Sequence, residues 1–281
     1  MKRNLQRSAL ARFLSKRTRQ LFITHYSLLI ILLSSSPARA QETDRFIEWS
    51  YKDAGHLIEH EWSTMLLVGA GGAAFVAAGS YVDQPILNGV QSVIDRDNLI
   101  VKLTNELGGR YAIAAPIAIF AAATAAGDSK LQDAAFTSVQ AIAYASALTS
   151  ILKEAAGRHR PEEGAGARKF EPFSGRHSAP SGHATIAFAL LTPWIYYYDH
   201  PATYALLTLG VGTSLSRIAL DQHWPTDVIT GGTIGFLMAR FLSKRHLDED
   251  AGDVEPVLMM PLVVTNVGGM RVTASLMAPG W

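Results

Sequence analysis

The chain has 281 residues, is 48% hydrophobic, carries a formal net charge of +1 and lacks cysteine. A near-neutral balance, with basic residues gathered at the N-terminus and in one central stretch, argues against a nucleic-acid partner. The missing cysteine excludes disulfides, thiolate nucleophiles and a lipidated-cysteine anchor. The length suffices for one sizeable core, and a mean hydropathy of +0.13 is low for a chain half embedded in lipid.

Residues 1–20 are rich in Lys and Arg, Leu21 to Leu33 is largely apolar, and Ala38-Arg39-Ala40 follows. This pattern predicts a signal peptide over 1–40, with an uncleaved membrane anchor as the alternative. His56, Glu59 and His60 then spell H-x-x-E-H, the inverted zinc-protease pattern. Only three positions are specified there and no separate third ligand stands out, so a polar lead-in to the next apolar run is the expected role. Six apolar segments follow: Ser63 to Val82, Tyr111 to Gly127, Ala134 to Leu152, Ala184 to Tyr198, Pro201 to Ser216, and Val228 to Leu242. All read as helices, rich in Ala, Gly and Thr and weak by membrane standards. Between the first two, Asp83 to Arg110 has an amphipathic rhythm that suits a surface helix or a lid. Beyond Leu242 the chain turns charged, and Glu255 to Met277, around Val267-Gly268-Gly269, predicts a β-hairpin. The expected organisation is a signal peptide at 1–40, a helical domain at 41–249 and an extension at 250–281. The fold class is all-α, a bundle of about six core helices with a small C-terminal β-hairpin.

Three short stretches between these helices carry the chemistry. Lys153 is followed after six residues by Arg160-Pro161; Pro180-Ser181-Gly182-His183 comes next; then Ser216-Arg217, five residues, His223, three residues and Asp227. Alone, each has an ordinary reading: cations complementing a helix C-terminus, a helix start, a surface His/Asp pair. Together they supply a phosphate site. Lys153, Arg160 and Arg217 can converge on a dianion, the arginines offering planar forks. Ser181 and Gly182 open a helix whose free N–H groups favour a bound anion. Pro225 suits a first helical turn, which sets His223 at the helix entrance. Asp227 can then accept the His223 Nδ1 proton, leaving Nε2 free to attack. His183 can protonate the leaving oxygen. The three cations replace a metal in stabilising charge, so the sequence predicts no metal and no cofactor.

These stretches resemble the signature of the type 2 phosphatidic acid phosphatase family, which shares its site with vanadium haloperoxidases. The match spans Lys153 to Asp227, with Ala179 departing from the aromatic residue often found before the PSGH turn. The resemblance implies an all-helical core, His223 as nucleophile, Asp227 as its partner and His183 as acid. It implies phosphate binding by Lys153, Arg160, Ser181, Gly182 and Arg217. The expected substrates are lipid phosphates such as phosphatidate or an isoprenoid diphosphate, with a non-specific acid phosphatase acting on soluble phosphomonoesters as the alternative. Haloperoxidase chemistry on bound vanadate and binding of phosphorylated lipid without turnover are the remaining readings.

The stretches follow the third segment, precede the fourth and follow the fifth, so six full spans would put all three on one membrane face. After a cleaved signal peptide, three spans would carry Lys153 to the cytoplasmic side, whereas the resemblance implies an outward-facing site. A periplasmic bundle attached to the membrane surface removes the conflict and is the expectation, with an integral inner-membrane protein as the alternative.

Overall fold

The structure, a computed structural model, describes residues 40–109 and 112–248. Residues 1–39 of the expected signal peptide and the whole 250–281 extension with its hairpin lie outside the described residues. Among those described, the chain is mostly helical and contains no strand, only an isolated bridge between Arg158 and Phe170.

The bundle is built around α6 (Ser129–Ala156), preceded by α1 (Ala40–Glu59), α2 (Trp62–Gly79), α3 (Asp83–Val93), α4 (Leu99–Glu106) and α5 (Ala114–Ala126). It is followed by α7 (Gly182–Tyr198), α8 (Pro201–Tyr204), α9 (Leu206–Ala219) and α10 (Pro225–Leu247). Asp128 caps α6, its side chain accepting from the Leu131 N–H at 3.0 Å. The helix ends at Gly157, whose φ of +55° is in the left-handed region and whose Cα lies against the Glu171 carbonyl. A Cβ there would stand 1.8 Å from that oxygen, so only glycine closes the helix at this point and turns the chain toward Arg158 and Arg160.

Helices α7 and α10 pack most closely on one another, and both pack on α6. Small residues allow the approach: a Cβ at Gly231 would lie 2.3 Å from the Ser181 carbonyl oxygen, and one at Gly235 2.2 Å from that of Thr185. The main core joins Ile142, Ala145, Leu190, Leu191, Ile234, Met238 and Leu242. A smaller cluster of Leu87, Ala184, Ile218, Trp224 and Val228 lies beneath the three motif stretches. At another place in the bundle, His246 fixes α1. Its Nε2 is 2.8 Å from Asp53 Oδ2, its Nδ1 is 2.8 Å from Thr137 Oγ1, and its ring stacks on Trp49 at 3.8 Å.

Five of the six expected segments are helices with extended or trimmed ends. The third grows to the 28 residues of α6, and the sixth begins three residues earlier, at Pro225. Pro201 to Ser216 divides into α8 and α9, because successive i→i+3 bonds, Ala205 N–H to Ala202 O and Thr208 N–H to Ala205 O, tighten the chain between them. Asp83 to Arg110 holds two short helices rather than one. Among the described residues, two helices, α2 and α6, are long and apolar enough to cross a membrane. α6 is mostly buried in the bundle, whereas α2 buries only Gly69 and Val76 and exposes Trp62, Leu66, Leu67 and Phe75.

The H-x-x-E-H pattern falls at the end of α1, where His60 has already left the helix and Glu59 is exposed. The His56 and His60 rings stack at 4.8 Å. Among the described residues, no group of three or more His, Asp and Glu side chains is placed to hold a metal ion.

Candidate active site

Three element ends meet to form the site. Lys153 stands in the last turn of α6, and its Nζ donates to the carbonyl oxygens of His177 at 2.6 Å and Ser178 at 3.4 Å. Ser181 is the N-cap of α7, where the sequence places a helix start, and its own N–H donates to the Asp227 carbonyl oxygen at 2.9 Å. Gly182 is the first residue of α7, with the Lys153 Cε at 3.8 Å from where a Cβ would sit. Arg217 stands in the last turn of α9, and the N–H groups of Gln222 and His223 donate to its carbonyl oxygen at 3.0 and 3.3 Å. His223, 2% exposed, enters α10, and Asp227 lies fully buried in its first turn behind Pro225.

The two arginines converge on one acceptor. Gln222 Oε1 takes Arg160 Nη1 at 2.8 Å and Arg217 Nη2 at 3.3 Å, while Asn105 Oδ1, from α4, takes Arg217 Nη1 at 2.8 Å. Arg217 Nε is buried with no partner. Two guanidinium groups held only by neutral amide oxygens at these contacts, with one donor left over, are suited to taking up an anion in place of those oxygens.

Charge in this enclosure shapes protonation. Burial, then Lys153 and Arg217, push His223 down to about 3, with Asp227 opposing them. Burial and the cations Arg217, Lys153 and Arg160 push His183 down to about 4. Lys153 falls to about 7 through burial and the repulsion of Arg160 and Arg217, against the attraction of Asp227. Burial alone would raise Asp227, but His223, Arg158 and Ser178 hold it below the usual carboxylate range. Both histidines are therefore neutral near pH 7, each with a ring-nitrogen lone pair.

A stability prediction follows from these depressed values. The unfolded chain takes up protons at His183 and His223 near 6.5, whereas the folded chain does so only near 4 and 3. The unfolded state therefore holds more protons over that interval, and stability falls as the pH drops from 6.5 toward 4. Inorganic phosphate, by neutralising the cradle, should recover part of the loss. Melting temperatures at neutral pH and at about pH 4.5, with and without phosphate, check this. Equal melting temperatures in all four conditions would remove the argument.

One expected contact is not made. His223 Nδ1 lies 3.8 Å from Asp227 Oδ2, beyond hydrogen-bond reach, and is buried without a hydrogen-bond partner. The carboxylate is already occupied. Oδ1 accepts from Arg158 Nη1 at 2.6 Å, and Oδ2 accepts from Ser178 Oγ at 2.5 Å and from the Trp224 N–H at 3.0 Å. Arg158, Ser178, Asn105 and Gln222 are thus site residues that the motif reading passes over. Arg158 adjoins the first motif in Gly157-Arg158-His159-Arg160, and that proximity was its only signal; Asn105 has none in the sequence.

The PAP2 superfamily profile matches residues 134–250, which hold all three stretches. The lipid A 1-phosphatase of Rhizobium johnstonii is 35% identical over 100 residues, covering 34% of this chain and 40% of that protein. The lipid A 1-phosphatase of Rhizobium etli is 33% identical over 99 residues, covering 34% and 42%. That of Porphyromonas gingivalis is 35% identical over 65 residues, covering 22% and 15%. The chain thus spans well under half the length of these curated relatives. No solved structure matches it.

Proposed function

We propose, on the match of residues 134–250 to the PAP2 superfamily profile, that the protein is a metal-independent phosphoric monoester hydrolase acting on lipid phosphates. The observation that supports this most is the shared hold of Gln222 on Arg160 and Arg217 beside the unpartnered Arg217 Nε, with Lys153 and the α7 N-terminus close by. A phosphate replaces the amide oxygens and gains charge-assisted bonds from both guanidinium forks.

In the proposed reaction His223 Nε2 attacks phosphorus and forms a P–N bond, while the P–O bond to the leaving group breaks. His183 gives its proton to the departing oxygen. The bound dianion offsets the cationic surroundings that keep His183 neutral in the empty site, so phosphate binding raises its proton affinity. In the second half, His183 takes a proton from water, the water oxygen attacks phosphorus, and the P–N bond breaks to release phosphate and free His223. Asp227 offsets the positive charge that develops on the His223 ring. Lys153, Arg160, Arg217, Ser181 and Gly182 hold the equatorial oxygens.

The named relatives are lipid A 1-phosphatases, which makes a phosphorylated glycolipid the first substrate to test. The exposed apolar side of α2 fits attachment to a membrane surface, and the proposed exported, periplasmic location rests on the signal-peptide pattern over 1–40. The test is phosphate release from lipid A, phosphatidate and a small soluble phosphomonoester, each with EDTA present. Turnover that resists EDTA and favours the lipids is the expected result. Preference for the soluble ester would move the assignment to a general acid phosphatase, and loss of activity in EDTA would overturn the mechanism.

A further inference from the structure

Behind Asp227 lies a row of buried charges that the three motifs do not include. Arg158 is 0% exposed and spans two carboxylates, with Nη1 on Asp227 Oδ1 and Nη2 on Asp83 Oδ2, both at 2.6 Å. Its Nε and Nη2 also donate to the Ala167 carbonyl oxygen at 2.9 and 2.6 Å, and its guanidinium lies over the rings of Phe170 and Trp224. Asp83 is equally buried. It accepts from the Thr226 N–H through Oδ1 at 2.9 Å and from Thr226 Oγ1 through Oδ2 at 2.6 Å. Thr226 Oγ1 in turn accepts from Arg158 Nη1 at 2.9 Å. Asp83 opens α3, upstream of the PAP2 segment at 134–250 and 70 positions before Lys153.

We propose that Asp83 and Arg158 are positioning residues that complete the nucleophile dyad, Arg158 orienting the Asp227 carboxylate and Asp83 balancing the arginine's charge so that Asp227 stays basic enough to serve His223. The inference rests on the His223 mechanism above. Its reasoning is electrostatic. A guanidinium paired with Asp227 alone would draw the carboxylate's negative charge away from the histidine and oppose the cationic ring that forms as His223 bonds to phosphorus. A second carboxylate on the far side of the guanidinium cancels that effect, so the His223 side sees the negative charge of Asp227 nearly undiminished. Three buried charged groups in contact are costly to desolvate, and a merely structural role would be filled as well by apolar side chains.

The other charges facing His223 are Lys153 from α6 and Arg217 from α9, with Arg160 and His183 in the same enclosure. The test leaves all four unchanged. It measures the acid limb of the kcat profile, which reports His223 in the substrate complex. Asp83→Asn leaves an uncompensated positive charge behind Asp227, so the limb moves down by about one pH unit and the plateau of kcat falls about tenfold, with KM within about threefold. Arg158→Gln leaves an extra negative charge and moves the limb up by a similar amount. The double variant removes both charges and returns the limb close to wild type. A packing role gives no reason for shifts of opposite sign, and either single variant carries the test if the other does not fold. An unmoved limb in a folded single variant, with turnover still dependent on His223, overturns this inference alone. Turnover that survives His223→Ala overturns the mechanism and this inference with it.

Discussion

Replacing His223 with Ala should reduce phosphate release by a factor on the order of 10⁴ while leaving the fold largely intact. The ring is almost wholly enclosed, and burial keeps it unprotonated at neutral pH, as the proposed attack requires. No cysteine exists to substitute as nucleophile. His223 also contributes little to the local scaffold. The Asp227 carboxylate is held by Arg158, Ser178 and the Trp224 N–H, none of which needs the imidazole. Loss of activity should therefore far outrun loss of stability. Parallel measurement of phosphate release and thermal unfolding checks this, and activity within about tenfold of wild type would end the case for a phosphohistidine.

Gly231→Ala should be nearly as revealing, although the residue touches no substrate. The new methyl group would stand 2.3 Å from the Ser181 carbonyl oxygen, a backbone atom that cannot rotate away. Helices α7 and α10 must separate, and the bond from the Ser181 N–H to the Asp227 carbonyl oxygen stretches with them. That bond joins the helix carrying Gly182 and His183 to the helix carrying Asp227. Displacement by roughly 1 Å costs about 10²-fold in kcat, and the overpacking costs about 1–3 kcal/mol of stability. Gly89→Ala in α3 is the contrast, because nothing lies within 4 Å of the added carbon. It should keep full activity and gain slightly in stability. Equal activity in the two variants would show that the close crossing does not set the site.

The contrast between motif residues and their supports explains what was legible in the sequence. Lys153, Arg160, Ser181, Gly182, His183, Arg217, His223 and Asp227 are legible because each sits at a helix end and is accompanied by local turn signals, such as Pro225 in the first turn of α10. Asp83 is hidden by an equally sound local reading. An acidic residue opening a helix after an apolar run complements the helix dipole, which Asp83 also does, and nothing nearby announces an arginine arriving from 75 positions further on. The separation of His223 Nδ1 from Asp227 was illegible for the same reason, since the competing partners come from Arg158 and Ser178 rather than from α10 itself. Among the helices, the long apolar runs were plain, but the division of Pro201 to Ser216 rests on two i→i+3 bonds that no single residue signals.

Helix α2 has one more consequence. Its last residue, Gly79, is pressed so closely on Thr226 that a Cβ would come within 2.4 Å of Thr226 Cγ2, and Asp83 follows within one turn. A lipid layer that takes up the exposed Trp62, Leu66, Leu67 and Phe75 therefore holds the site at a set height above it, with no free linker between anchor and chemistry. Under that arrangement the enzyme samples only lipids in its own surface. Its rate should follow the mole fraction of substrate in the surface rather than the bulk concentration, and inert lipid or detergent should slow turnover by diluting that surface.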